Sequence, residues 1–190
     1  MWQARTYGDA PDATLVSWSA SGDRRAFDEI VTRHGPFALR VAARLIPDKR
    51  AAEDVVQEAM VRAWSQSSQF DAERARFTTW LYRIVVNLSI DHRRRVVPQS
   101  LPDDFDPVDP GLGAAERIEL EERDTTLTRE LRKLPARQRA AMTLVYDEGL
   151  SGAEAARVLG LSAKAVERLL ARARAYLRAV LQPQEESRRC

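Results

Sequence analysis

Three groups of residues in this chain have types and spacings that can act on another molecule. The first lies near the C-terminal end, where Lys164, Arg168, Arg172, Arg174 and Arg178 recur on one side of a helical period and offer cations to phosphate. Glu167 stands among them. Its carboxylate repels phosphate and can accept a hydrogen bond from a cytosine amino group, or it can pair with Lys164 or another basic neighbour. The second group interleaves Phe70, Phe77, Trp80 and Tyr82 with Arg74, Arg76 and Arg83, ahead of the run Arg93, Arg94, Arg95. Rings set between guanidinium groups can support unstacked bases and track a backbone. Trp64, Trp80 and Tyr82 equally fit a packed core, and the arginine run fits a solvated helix end favoured by the helix dipole. In the third group, Asp54, Gln57 and Glu58 occupy adjacent exposed positions of a helix whose Val56, Ala59, Met60 and Ala63 pack inward. Such an acidic face seldom seeks DNA.

All three are binding chemistries. No nucleophile with a base and an orienting group, no phosphate-cradling glycine loop and no metal-ligand spacing occurs, so no catalytic, cofactor-binding or metal-binding residue is expected, and the chain is not expected to be an enzyme. His34, between Arg33 and Gly35, has no neighbouring ligand residue and reads as a structural or an exposed imidazole. The single cysteine, Cys190, cannot form an internal disulfide.

The elements that must position these groups are helices. Ser151 is a natural N-cap with Glu154 three residues on, Ala155, Ala156 and Leu159 form an inner face, and Gly160 ends the helix. Leu161 fills a turn, Ser162 caps a second helix, and Val166, Leu169, Leu170, Ala173, Leu177 and Val180 form its packing side. A helix, a glycine turn and a basic amphipathic helix over residues 150–181 make a helix-turn-helix, the geometry that enters a major groove. In it Lys164, Glu167 and Arg168 reach towards base edges, while Arg172 and Arg174 hold phosphates. Upstream, helical periodicity predicts helices over residues 15–19 running into Gly22, 24–46 with a kink or break at Pro36, 51–64 and 78–95; downstream it predicts 114–134, 135–148, 151–159 and 162–181. No alternating strand pattern is present, so the expected fold class is all-α, as two small helical domains.

Charge marks where they divide. Residues 1–96 carry 15 basic against 12 acidic side chains, and residues 115–190 carry the same numbers. Between them, residues 97–114 carry Asp103, Asp104, Asp106 and Asp109 with no basic residue, and Pro98, Pro102, Pro107 and Pro110 disfavour a helix. The expected organisation is an N-terminal extension (1–14), a first domain (15–96), a flexible acidic linker (97–114), a second domain (115–182) and a tail (183–190). No apolar run approaches the roughly 20 residues that span a bilayer, and the first dozen residues lack signal-peptide character, so a cytoplasmic location is expected.

The segments AEDVVQEA, FTTWLYRIVVN and DHRRR, followed by the helix-turn-helix, together resemble an extracytoplasmic-function (group IV) bacterial sigma factor over about residues 15–181. The resemblance implies that the first domain is sigma region 2, the second is region 4, and the linker stands in for region 3. It implies that Asp54, Gln57 and Glu58 bind the β′ coiled coil of core RNA polymerase, whose β flap is a further expected contact. Residues 68–76 match the loop that captures a base flipped from the minus-ten promoter element, Asn87 matches an asparagine reading that element's upstream edge, and Arg83, Arg93, Arg94 and Arg95 match phosphate contacts. The minus-thirty-five element falls to Lys164, Glu167, Arg168, Arg172 and Arg174. An anti-sigma factor as inhibitory partner and a role in stress response also follow from the resemblance. The rival reading from the residues alone is a self-sufficient helix-turn-helix regulator binding an operator as a dimer.

Overall fold

The computed structural model describes residues 6–96 and 126–181, and the chain divides into two compact units between His92 and Arg93. The expected linker, residues 114–125 of the expected helix 114–134, and the tail lie outside the described residues. Among the described residues every regular element is a helix.

The first unit is built from α1 (Asp12–Ala20), α2 (Arg24–Leu45), α3 (Lys49–Ser65) and, up to His92, α4 (Phe77–Val96), with a short 3-10 turn at Ser67–Gln69. Carboxylates start two of these helices. Asp23 accepts from the backbone N–H groups of Arg25 and Ala26, and Asp48 from that of Ala51, which satisfies donors that have no intrahelical partner. The core forms where Leu15 and Val16 of α1, Ile30, Val41 and Leu45 of α2, Val55 and Ala59 of α3, and Leu81 and Val85 of α4 converge. α2 runs unbroken through Pro36. Losing one backbone hydrogen bond there is outweighed by the apolar stripe buried on both sides of the proline, from Ile30 to Leu45. α1 is also longer than its apolar period suggested, starting at Asp12 inside the expected N-terminal extension.

The second unit contains α5 (Thr126–Lys133), α6 (Ala136–Met142), α7 (Gly152–Leu159) and α8 (Ala163–Leu181). Residues 135–148 do not form one continuous helix. After Met142 the backbone widens into a π turn over Thr143–Asp147, and Gly149, at φ 68°, takes the left-handed conformation that a side chain disfavours. Small residues let these helices approach closely, since Ala140, Ala141, Ala155 and Ala173 are all fully buried beside Leu144, Val158 and Val166. Two polar contacts fasten α5. Arg139 is buried and donates from Nε to the Leu131 carbonyl at 3.0 Å, closing the end of that helix. Glu130, 8% exposed, accepts from Lys133 Nζ at 2.8 Å and from the Tyr176 hydroxyl of α8 at 2.9 Å. The Lys133 hydrogen bond holds the Glu130 carboxyl below its usual range, against the opposing effect of burial and with help from Tyr176.

Candidate nucleic-acid and partner interfaces

The helix-turn-helix forms as its residues dictate. Ser151 accepts from the Glu154 N–H at 3.3 Å while Glu154 Oε2 accepts from the Ser151 N–H at 3.0 Å, a reciprocal capping box. Gly160 closes α7 with φ 66°, the Leu161 N–H reaches the Ala156 carbonyl at 2.9 Å, and Ser162 Oγ accepts from the Ala165 N–H to open α8. Val166, Leu170, Ala173 and Leu177 then face the core. Lys164, Arg168 and Arg172 are exposed on the opposite side, and none has a side-chain partner among the described residues. Glu167 is exposed beside them and likewise unpaired, so the pairing alternative for this carboxylate is not realised among the described residues. Arg174 departs from the expected pattern. It lies on the flank of the helix, donating from Nε to the Leu170 carbonyl at 3.2 Å and from a terminal nitrogen to the Tyr146 hydroxyl at 3.4 Å. Tyr146 itself is 54% exposed on the π turn, a position with no local sequence signal.

On α3 the spacing 54, 57, 58 and 61 gathers Asp54, Gln57, Glu58 and Val61 on one solvent-facing side, while Ala52, Val55, Ala59, Met60 and Ala63 are buried. Val56 is half-buried instead of fully inward. Glu58 pairs with Arg62 Nε at 2.7 Å, whereas Asp54 has no partner among the described residues. Val61 is 57% exposed at the centre of this side, an apolar feature the acid pattern concealed. Next to it a groove of about 340 Å³ is lined by Phe27, Met60, Val61 and Trp64, with Arg24, Asp28 and Gln57 at its rim. Phe27 and Trp64 meet edge to face at 5.1 Å.

The aromatic group divides into two. Phe70, Phe77 and Trp80 form one cluster with ring centroids 5.6–5.7 Å apart. Phe77 is its buried base at 4% exposure and offers no ring face to a base, contrary to its expected role. Trp80 is half-buried, combining packing with an accessible edge. Residues 71–76 between Phe70 and Phe77 form a tight turn in which Asp71 accepts from the Glu73 N–H and pairs with Arg74 at 3.1 Å. Trp80, Arg83 and Asn87 share one side of α4, with Arg76 immediately ahead of the helix at the same spacing; all but Trp80 are exposed. Tyr82 points elsewhere. It stacks on Phe37 of α2 at 3.8 Å and 17°, with Arg40 5.3 Å from the Phe37 centroid, an assembly invisible to local pattern because the two rings lie on different helices. Of the arginine run, Arg95 is exposed and Arg93 half-buried, and the Arg94 side chain lies outside the described residues.

His34 proves structural, with Nε2 2.9 Å from Asp12 Oδ2. Among the described residues there is no group of histidine, cysteine and carboxylate side chains able to hold a metal ion, and no helix long and apolar enough to cross a membrane.

A helix-turn-helix with an exposed cationic side in one unit, and an exposed acidic side centred on Val61 in the other, are the features of a helical DNA-binding transcription protein. Comparison with known proteins gives the family. The model for sigma-70 region 2 matches residues 30–97, and that for sigma-70 region 4 matches residues 125–177. The chain is 40% identical over 191 aligned residues to the RNA polymerase sigma factor CnrH of Cupriavidus metallidurans, covering 92% of this chain and 96% of that one. It is 36% identical to the ECF RNA polymerase sigma factor SigM of Mycobacterium tuberculosis, covering 90% of this chain and 84% of the relative. Among solved structures, CnrH in complex with the cytosolic domain of CnrY aligns with a TM-score of 0.67 at 35% identity, over 90% of this chain and 97% of that one. The sigma factor RpoE of Bartonella quintana, solved with the anti-sigma factor NepR, shares the fold with a TM-score of 0.58 at 23% identity over 82% of this chain and 96% of that one. The chain therefore belongs to the extracytoplasmic-function sigma factors of the sigma-70 family, which bind core RNA polymerase and direct promoter-specific initiation.

Proposed function

We propose that the first unit docks on core RNA polymerase through Asp54, Gln57 and Glu58 and reads the minus-ten strand along α4, while α8 of the second unit reads minus-thirty-five duplex. The observation that carries this reading is the segregation of opposite chemistries: an acidic face on α3 in one unit and an unpaired cationic face on α8 in the other. A polar and acidic face complements a basic partner and steers its docking. The apolar groove beside Val61 supplies a seat for a partner side chain, the kind of desolvated anchor on which interface affinity depends. Arg76, Arg83 and Asn87 line the strand path, Phe70 and Trp80 flank the base-capturing turn, and Arg93, Arg94 and Arg95 continue the phosphate contacts. Unstacking a base costs a few kcal/mol, which a shaped pocket must offset. Tyr82, backed by Phe37, serves as a second stacking platform. The protein makes and breaks no bond itself and works in the cytoplasm; its first domain begins ahead of the expected residue 15, since α1 starts at Asp12 and residues 7–10 bond to Arg33. An anti-sigma factor restrains it; the similar sigma factor RpoE is solved in complex with the anti-sigma factor NepR, and CnrH in complex with the cytosolic domain of CnrY. The match of both units to sigma-70 regions favours this over a self-sufficient operator-binding regulator.

Duplex binding tests the α8 assignment. Arg172→Ala is expected to weaken minus-thirty-five binding by about 10-fold and to reduce the salt slope by roughly one unit, with base preference unchanged. Glu167→Ala is expected to leave the salt slope nearly intact and to change preference at one position of the element. Binding measured across a randomised duplex library at two salt concentrations separates the two. A preference switch in the Arg172 variant, or an unchanged profile in the Glu167 variant, refutes the corresponding assignment.

A further inference from the structure

We infer that residues 7–12, ahead of and at the start of α1, act as a positioning element for the base-capturing turn, through Arg33, Asp12, His34 and Phe77; this rests on the role proposed above for residues 71–76. Arg33 is the anchor. A guanidinium has five N–H donors, and here five hydrogen bonds are made. Nε binds Glu29 Oε1 at 2.7 Å; one terminal nitrogen binds the Ala10 carbonyl at 2.7 Å and Asp12 Oδ1 at 3.2 Å; the other binds the carbonyls of Tyr7 at 2.9 Å and Gly8 at 2.6 Å. The backbone of residues 7–10 is thus wrapped around one side chain of α2. Tyr7 adds a hydroxyl bond to Asp23 Oδ2 at 3.1 Å and an edge contact with Trp18 at 5.8 Å.

Asp12 is shared between two neighbours. Its second oxygen lies 2.9 Å from His34 Nε2, and the His34 ring meets Phe77 at 5.3 Å and 62°. Phe77 is the buried base of the cluster that holds Phe70 and Trp80, and Phe70 and Phe77 are the two residues that bracket the turn. A continuous line of contacts therefore runs from the backbone of residues 7–10, through a charged fork and an oriented imidazole, to the side chains on which the turn rests. A constellation that must receive a splayed base needs its supports fixed to within about 0.5 Å. None of Arg33, Asp12 or His34 needs to touch DNA for this; they are positioning residues. Core packing alone would also hold Phe77, but it has no requirement for a carboxylate and an imidazole to be joined behind it.

The test uses the full chain reconstituted with core RNA polymerase and fork-junction DNA carrying a single-stranded minus-ten element, in its preferred sequence and with the captured base replaced. Asp12→Ala and His34→Phe, the latter keeping a ring against Phe77, are each expected to lower affinity for the preferred strand by about 3- to 10-fold, the scale of one or two lost hydrogen bonds. The preference ratio between the two strands is expected to narrow, while affinity for core polymerase and for minus-thirty-five duplex stays within twofold. Asp12→Asn, which retains an acceptor for Arg33 and a hydrogen-bonding group for His34, is expected to restore the ratio. An unchanged ratio in Asp12→Ala and His34→Phe overturns the inference, as does a loss that falls equally on core binding and follows a drop in melting temperature. A wild-type holoenzyme with no strand preference would instead overturn the underlying role of the turn, and the inference with it.

Discussion

Asp54→Lys is expected to lower affinity for core RNA polymerase by about 30-fold or more, equivalent to roughly 2 kcal/mol, with no loss of fold. The size follows from where the carboxylate sits. Asp54 is exposed on α3 with no partner among the described residues, so its charge is available to a partner, and reversing it turns an attraction into a repulsion. Surface substitutions of this kind usually change stability by no more than about 0.5 kcal/mol. Glu58 is the less clean choice because reversal also removes its pair with Arg62. A fluorescence titration of labelled protein with purified core enzyme at low and high salt reads the effect. The wild-type affinity should fall with salt and the variant's should be weak throughout; equal affinities for wild type and variant would remove this face from the interface.

Phe77→Ala is expected to have the largest effect on stability. Truncating a buried phenylalanine costs about 3–5 kcal/mol, because the transfer term is lost and the cavity collapses only in part. Phe77 is 4% exposed and touches Phe70, Trp80 and His34, three rings that would all face the void. For a unit of this size the loss corresponds to a fall in Tm on the order of 10 °C or more. Calorimetry of the full chain should show the shift in the transition of the first unit while that of the second is unaltered. A shift below about 2 °C would show that Phe77 is not a core support.

Phe77 also illustrates what sequence pattern carries and what it omits. With Leu81, Val85 and Leu88 it forms a buried stripe of helical period, a pattern the sequence carries, while its ring fits a base-stacking set equally well. The helix-turn-helix was fully legible because the Ser151 and Glu154 box, the Gly160 turn and the apolar period of α8 are all local. Asp54, Gln57 and Glu58 were legible as an exposed face for the same reason. Three features were not. The π turn at Thr143–Asp147 leaves no residue signature beyond Gly149, the Arg33 fork joins groups 21 to 26 residues apart, and the Phe37 and Tyr82 stack joins two helices. Arg174 differs from its expected place for a geometric reason. Its position on α8 is about 70° from the centre of the buried side, close enough for its side chain to turn back onto Leu170 and Tyr146. The unbroken α2 shows tertiary burial overriding the local preference of Pro36.

Whether this chain selects promoters for core RNA polymerase through these two units is decided by transcription from a random-fragment DNA library by purified core enzyme, with and without the protein. Added protein should produce transcripts from a discrete subset of fragments sharing two upstream elements, and Asp54→Lys should abolish them. If core enzyme yields the same transcripts with and without the protein, the chain does not select promoters, and if the Asp54→Lys variant performs as well as wild type, it does not do so by docking through α3.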